Sequence, residues 1–153
     1  WDISGIVDCY GKTYVQRAST GEIGILDSQT YSEWGQPLRA QWAYQSLYAH
    51  GKGVQINRVE MGIEVGVGIP TVANASGDGS DPQITLELSR KGGREGTFKV
   101  VGSRSVGRQG DFKRRVHWDG LGTGPDNVLR ANFADPNPLT IWDTDVDALE
   151  LAS

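Results

Sequence analysis

The sequence is poor in the side chains that build disulfides and metal sites. Cys9 is the only cysteine among 153 residues, and His50 and His117 are the only histidines. A lone cysteine cannot close an internal disulfide, and these side chains cannot complete a closed zinc site. The "GDGSD" stretch, residues 77–81, resembles half of a calcium loop but lacks the glutamate that closes such a loop. We therefore expect neither a metal nor a cofactor.

Long apolar runs are missing as well. No stretch approaches the length that a membrane-spanning helix needs, and the first residues lack the basic and apolar segments of a signal peptide. With 37% hydrophobic and 22% charged residues, the composition is typical of a soluble globular protein without a membrane partner. Because the chain starts at Trp1 and not at methionine, we interpret it as a piece of a longer protein.

Signatures of catalysis are absent from the sequence too. It contains no G-x-S-x-G, no phosphate-binding G-x-x-x-x-G-K-[ST] and no H-E-x-x-H. The spacing of Glu60 and Glu64 would place both on one face of a strand, and a polar strand face explains them without invoking paired catalytic acids. His50 and His117 are interpreted as packed or solvated residues. We expect no enzymatic activity.

Glycine, by contrast, is abundant, with 21 residues, which is typical of a chain with many tight turns. Between the turns, apolar and polar residues alternate as they do in strands, most clearly in "ITLELS", residues 84–89. A slip in the alternation between Ile56 and Val59 predicts a β-bulge. About eight short strands at roughly ten-residue intervals predict an all-β fold. We expect an antiparallel β-sandwich-like domain over residues 37–153, preceded by a propeller-type hairpin over residues 1–36 that ends a larger upstream module.

The charges are unevenly distributed along the chain. Residues 90–115 hold nine lysines and arginines against two acids, whereas the segment from Ala131 onward holds five acids and no base. The basic segment could attract nucleic-acid phosphates, be a solvated hairpin face, or meet the acidic segment of a neighbouring subunit. The candidate contact residues are Arg94, Arg108, Lys113, Arg114, Arg115, Asp143, Asp145 and Asp147.

The stretch "SRKGGREGTF", residues 89–98, resembles the Asp-box hairpin of sialidases and many β-propellers. Lys91 stands where the box has its aspartate, and an insertion separates Gly93 from Thr97. In an Asp-box the carboxylate and hydroxyl groups bond the backbone of a tight turn, and the box usually lies far from any catalytic centre. We therefore interpret the stretch as a structural turn.

Longer stretches resemble one particular family. "NRVEMGIEVGVG", then "GDGSDPQITLELSRKGGREGTF", then "SVGRQGDFKRRVHWDGLGTGPDNVLRANFADPNPLTI" follow in this order, and "TYVQRASTGEIGILD" is similar to a propeller-type hairpin before them. From about Gly35 to Asp147 the chain resembles the C-terminal region of the packaged-DNA stabilisation proteins, or tail-accessory and head-completion proteins, of short-tailed bacteriophages. It departs from the family pattern at Lys91, at Phe112, which replaces a tyrosine, and at "WDGLG".

The resemblance implies a virion structural protein at the head–tail junction, assembled in the host cytoplasm. Such proteins form a homo-oligomeric ring below the portal protein, extend its channel, retain the packaged DNA and provide a docking surface for tail fibres, spikes or needles. Contact with the packaged DNA is possible in such a position. Heterologous contacts between copies would close the ring.

A carbohydrate-binding or sialidase-like β-module is the alternative from a different class. It depends on the Asp-box remnant and on the tryptophans Trp34, Trp42, Trp118 and Trp142, one of which could be a sugar platform. We expect most of them to be core or subunit-contact residues. Direct DNA binding through the basic segment is a third hypothesis, but the chain is acidic overall, with a net charge of −4.

Overall fold

The computed structural model describes residues 2–65, 81–107 and 113–152. The predicted "GDGSD" loop, except for its last residue, and Arg108 and Phe112 lie outside these ranges. The chain divides into two compact units, residues 1–38 (unit 1) and residues 39–153 (unit 2). All described secondary structure is β-strand, and the sheets are antiparallel, so the predicted all-β class is confirmed.

Unit 1 is built from two small antiparallel sheets. The first has three strands in sequence order: β1 (Ile3–Cys9), β2 (Lys12–Arg17) and β3 (Ile23–Leu26). The second pairs β4 (Ser32–Glu33) with β5 (Gln36–Pro37). The predicted arms and turn of the hairpin correspond to β2 and β3, whereas β1 was not predicted, because its sequence "ISGIVDC" alternates poorly.

Unit 2 is sandwich-like, with two sheets enclosing one core. The larger sheet contains β6 (Ala40–Ala43), β7 (Leu47–Tyr48), β9 (Gln83–Ser89), β10 (Lys99–Ser105) and β12 (Asp126–Phe133), in the order β10-β9-β12-β6, with β7 also paired to β12. The smaller sheet contains β8 (Val54–Val65), β11 (Arg114–Gly124) and β13 (Leu139–Glu150), with β8 in the centre.

The core of unit 2 collects the inward-facing residues of both sheets. Ile84, Leu86 and Leu88 line it from the larger sheet, as the alternation of "ITLELS" predicted, and Met61 and Trp118 line it from the smaller one. The indole Nε1 of Trp118 donates a hydrogen bond to the carbonyl of Gly102 at 2.9 Å, which joins β11 to β10 of the other sheet. The sandwich is therefore held along this side by a polar link as well as by apolar packing.

Two sequence expectations about the strands can be compared with the structure. The bulge predicted between Ile56 and Val59 is confirmed, because the register of both neighbouring strands shifts opposite Asn57. The alternation of apolar and polar residues over positions 38–44 predicts a single strand in "QPLRAQWAYQSLYA". This prediction is wrong, because the segment forms three short strands, β5, β6 and β7. Tyr44 follows the end of β6 but still donates its backbone N–H to the carbonyl of Leu129 at 2.8 Å, which is the next position in the β6–β12 register. No helix in the described ranges is long and apolar enough to cross a membrane.

Candidate interaction surfaces

The outer face of the smaller sheet carries three rows of charged residues. β11, β8 and β13 place Asp119, Arg58 and Asp147 in one row, His117, Glu60 and Asp145 in the next, and Arg115, Gly62 and Asp143 in the third. We call these residues, together with Trp142, the acidic face, because its five carboxylates exceed its two guanidinium groups.

Trp142 reaches the acidic face through a β-bulge. The register shifts between Ile141 and Asp143, so Trp142 is the extra residue of β13 and lies over Gly62. A Cβ at position 62 would be 2.5 Å from atoms of the indole, so only glycine leaves room for the ring. The Trp142 side chain covers this strand glycine and is itself 45% exposed.

Arg115 connects the carboxylates of the acidic face. Its Nη1 lies 2.8 Å from Glu60 and 3.5 Å from Asp145, its Nη2 lies 3.2 Å from Asp143, and its guanidinium lies 4.6 Å from the centroid of the Trp142 ring. Hydrogen bonds from Arg115 and then from Arg58 lower the pKa of Glu60 below its ordinary value. Glu60 is therefore ionised at neutral pH and cannot serve as a proton donor there.

The predicted contact residues have different positions in this arrangement. Arg115, Asp143 and Asp145 meet each other within one chain, because β11 and β13 flank the same central strand. Asp147 accepts a hydrogen bond from Asn57 Nδ2 at 3.4 Å on the same sheet. Arg94, Lys113 and Arg114 are exposed, and Arg108 lies outside the described residues. Part of the charge asymmetry is thus satisfied by ion pairs within one chain, on the outer face of the smaller sheet.

A second surface with the opposite charge lies on the larger sheet. Lys91 and Arg94 are exposed in the turn after β9, and Lys99 is exposed where β10 begins. Beside Lys99, Val100 and Val101 are 65% and 37% exposed. Within the ranges that the structure describes, none of these three basic side chains forms an ion pair. We call the five residues the basic edge.

The turn between β9 and β10 is closed by hydroxyl groups, even though Lys91 replaces the aspartate of an Asp-box. The buried Ser89 Oγ accepts hydrogen bonds from the backbone N–H groups of Lys91 and Gly93, both at 3.2 Å, and lies 2.6 Å from Thr97 Oγ1. Thr97 Oγ1 in turn donates to the carbonyl of Arg94 at 2.6 Å. Gly92 and Gly93 both have positive φ, at 65° and 73°. The serine, threonine and glycine positions therefore keep the turn closed.

The outer edge of β11 is covered by two arginines of the opposite sheet. Arg104 Nε donates to the carbonyl of His117 at 3.1 Å, and Arg90 Nη2 donates to the carbonyl of Leu121 at 2.6 Å. These bonds satisfy strand carbonyls that β8 leaves unpaired. Arg90 and Arg104 belong to the basic segment of the sequence. Because they bond the edge of β11, they stabilise the sandwich itself.

The outer face of the larger sheet holds a partly buried polar network. Arg130 Nε lies 2.7 Å from Glu87 Oε2, and the two side chains are only 12% and 13% exposed. Asn132 Nδ2 donates to the same oxygen at 2.8 Å, and Phe98 lies 3.8 Å from the Arg130 guanidinium. Burial raises the pKa of Glu87, but the hydrogen bonds from Asn132 and Arg130 outweigh burial and hold the pKa below its ordinary value.

The substitution Glu87→Gln should lower the free energy of unfolding at pH 7 by about 2 kcal/mol, because the network loses its charged acceptor. The pKa of Glu87 is lower in the folded than in the unfolded chain. The stabilisation by its carboxylate is therefore complete above the unfolded pKa of about 4.3 and is lost as the pH falls through the folded-state pKa. Urea unfolding at pH 7 and pH 3 measures the difference in the free energy of unfolding between the variant and the wild type. We expect this difference to be smaller at pH 3.

Glu95→Gln is the matched control, since Glu95 contacts the same arginine but is 86% exposed. We expect it to change stability by less than about 0.5 kcal/mol. A loss of unfolding free energy in Glu87→Gln that is equally large at both pH values would contradict the lowered pKa of Glu87.

Unit 1 repeats the arrangement of glycine, tryptophan and arginine. A Cβ at Gly24 would be 2.9 Å from the ring of Trp34, and the Arg17 guanidinium lies 5.6 Å from the centroid of that ring. Arg17 is also paired with Asp2 at 3.0 Å and with Glu22 at 2.9 Å. Each unit thus covers a strand glycine with an indole and fixes an arginine beside it.

The four tryptophans, for which the sequence allows a role in the core, in a subunit contact or as a sugar platform, have different positions in the structure. Trp118 is a core residue, and Trp42 is partly buried against the same core. Trp34 and Trp142 instead lie over strand glycines. The sequence signal for Trp142 is a change of phase in β13: apolar residues occupy positions 139 and 141, and then position 146. That shift indicates an extra residue between them.

Among the described residues, no group of three or more histidine, cysteine, aspartate or glutamate side chains is arranged to hold a metal ion. Unit 2 is an antiparallel, sandwich-like β-domain with an acidic sheet face and a separate basic edge, and unit 1 contains a small three-stranded sheet. A scan against protein-family models found no match, and a search of curated proteins found no significant match.

Proposed function

We propose that this chain is a virion structural protein of a short-tailed bacteriophage, located at the head–tail junction. In this role it joins a homo-oligomeric ring below the portal protein, extends the portal channel, retains the packaged DNA and docks fibres, spikes or a needle. It is assembled in the host cytoplasm and acts without enzymatic activity.

The observation that carries the proposal is the order of the family-like stretches along a chain that folds as a β-sandwich. The stretches that resemble the phage family supply β8, β9 with its turn, β11 and β12. Glycine, serine and threonine positions of these stretches close the turn, with Ser89 Oγ and Thr97 Oγ1 only 2.6 Å apart. The resemblance therefore includes strands of both sheets of the sandwich.

The hydrogen bonding of two glutamates, Glu60 and Glu87, is consistent with a structural role. Glu60 is fixed by Arg115 and Arg58, and Glu87 is fixed by Arg130 and Asn132. Hydrogen bonds to arginine lower the pKa of both glutamates. Carboxylates held in this way stabilise cross-strand contacts, whereas a general acid needs a raised pKa.

The test is binding to a preassembled portal ring. We expect the chain to co-sediment with the portal ring of the short-tailed phage that encodes it, and not with the ring of a long-tailed phage, which is the matched control. Equal binding to both rings, or binding to neither, would contradict the proposal.

A carbohydrate-binding module is the second candidate, favoured by one observation. Trp142 is 45% exposed on a sheet face, next to carboxylates and a guanidinium that could bond sugar hydroxyls. The Arg115 guanidinium already lies 4.6 Å from the centroid of its ring and restricts access to the indole. We expect a glycan array and a sialoside hydrolysis assay to be blank. Glycan binding that Trp142→Ala abolishes and Trp34→Ala preserves would replace the first candidate by the second.

A further inference from the structure

We propose that the acidic face of one copy binds the basic edge of a second copy, so that unit 2 associates head to tail. This inference rests on the proposed function, since it specifies the surfaces by which a ring of this chain would form. It also replaces the broader sequence expectation that the whole basic segment meets the acidic segment between subunits.

Some cations of the basic segment are bonded within the chain, and others are available to contact a second copy. Arg90 and Arg104 are used to cover the edge of β11, and Arg115 is used by the carboxylates of its own sheet. Lys91, Arg94 and Lys99 are exposed and form no ion pair in the part of the chain that the structure describes. These three cations are available for neutralisation by a second copy.

The acidic face keeps an excess of negative charge after its internal pairs are formed. Its carboxylates outnumber its guanidinium groups, and Asp145 is 69% exposed even though it lies 3.5 Å from Arg115. Asp119 is 58% exposed and lies 3.7 Å from Arg58. A positively charged partner surface would therefore be attracted to this face.

Both surfaces also expose apolar area that an interface can bury. Val100 and Val101 lie beside Lys99 on the basic edge, with exposures of 65% and 37%. Trp142 lies over Gly62 in the third row of the acidic face and is 45% exposed. Aromatic and aliphatic side chains surrounded by complementary charges are typical of the central contacts of protein interfaces.

The two surfaces lie on different sheets of one unit, which determines the symmetry of the contact. A contact between different patches is heterologous, so after the first contact one copy keeps a free basic edge and the other keeps a free acidic face. Such a contact continues into a closed ring or an open filament and does not stop at a dimer. A pairing of two acidic faces is disfavoured, because it would place like charges opposite each other.

Sedimentation velocity of the chain by itself, without portal protein, tests the inference. At about 50 mM salt and about 100 µM protein we expect concentration-dependent association, weakened at about 500 mM salt, because salt screens exposed charges. Lys99→Glu and Asp145→Lys should each weaken association about tenfold. The matched controls Lys12→Glu and Asp8→Lys change the net charge equally at exposed positions of unit 1 and should leave association unchanged.

Mixing the two variants tests the head-to-tail geometry. Lys99→Glu keeps an intact acidic face, and Asp145→Lys keeps an intact basic edge, so a mixture can form one wild-type contact. At a concentration where each variant alone is monomeric, we expect the mixture to associate, because the wild-type contact is available and the reversed charges at positions 99 and 145 are complementary in the other contact.

Several results would overturn the inference: a wild-type chain that stays monomeric at low salt, charge reversals no more disruptive than their controls, or a mixture that behaves like its separate components. Because no portal protein is present, the outcome is separate from that of the proposed function. Association that follows these expectations, combined with failure to bind any portal ring, would reject the virion role and leave the contact in place.

Discussion

Replacing Asn127 by aspartate should destabilise the sandwich by about 3–5 kcal/mol at pH 7, because it buries an unpaired charge. Asn127 is fully buried, and its Nδ2 donates hydrogen bonds to the carbonyls of Val54 at 3.2 Å and Gly124 at 3.0 Å. These bonds connect the start of β12 to the start of β8 and the end of β11. A carboxylate cannot donate to either carbonyl and would place a negative charge against both oxygen atoms.

The pH dependence of the Asn127→Asp variant gives a second readout. Burial should raise the folded-state pKa of the introduced carboxyl above an unfolded value of about 3.9, so the charge penalty appears as the pH rises above that value. We expect urea unfolding to find the variant closer to the wild type at pH 4 than at pH 7. Equal destabilisation at both pH values would contradict the expected burial of the charge.

The matched control is Asn57→Asp, the same substitution in the other sheet of unit 2. Asn57 is half-buried, and its Nδ2 donates to the carboxylate of Asp147 at 3.4 Å in an exposed position. We expect this change to cost less than about 1 kcal/mol, because solvent screens the two carboxylates. Similar losses of unfolding free energy in the two variants would mean that the buried hydrogen bonds of Asn127 stabilise the fold no more than the exposed bond of Asn57.

Replacing Trp118 by alanine should lower the free energy of unfolding by about 3–5 kcal/mol, because it removes a large core side chain and leaves a cavity. Trp118 is 1% exposed and lies between the two sheets. The change also removes the bond from its Nε1 to the Gly102 carbonyl, which connects β11 with β10. Urea unfolding followed by far-ultraviolet circular dichroism measures the loss.

Two further variants separate packing from the hydrogen bond. Trp118→Phe retains most of the ring packing and should cost about 1–3 kcal/mol for the unpaired Gly102 carbonyl. Trp142→Ala removes an indole that is 45% exposed and should cost about 1 kcal/mol. A larger loss for Trp142→Ala than for Trp118→Ala would place the main stabilising aromatic contact on the acidic face and not in the core.

The strands of unit 2 could largely be predicted because their inner faces alternate regularly. β9 is the clearest case: residues 84, 86 and 88 are buried and residues 85 and 87 lie on the other face. The bulge at Asn57 was also predictable, since the apolar positions change phase there. The region of β5 to β7 was predicted wrongly, because alternation over residues 38–44 does not fix how long each strand continues to pair.

The candidate surfaces were only partly predictable. The sequence identifies the basic and acidic segments, but the pairing of Arg115 with Asp143 and Asp145 depends on β11 and β13 flanking β8. Residues almost thirty positions apart in sequence become neighbours by strand order, which local patterns do not specify. The position of Trp142 over Gly62 likewise depends on a register shift that only the paired strands define.

The sequence by itself determined the all-β class, the inward faces of the main strands and the unequal distribution of charge, because these follow from local alternation, turn residues and composition. Only the tertiary structure decided which charges are satisfied within the chain and which remain exposed. The reason is that an ion pair requires two side chains within a few ångströms, and that distance is set by strand order and register.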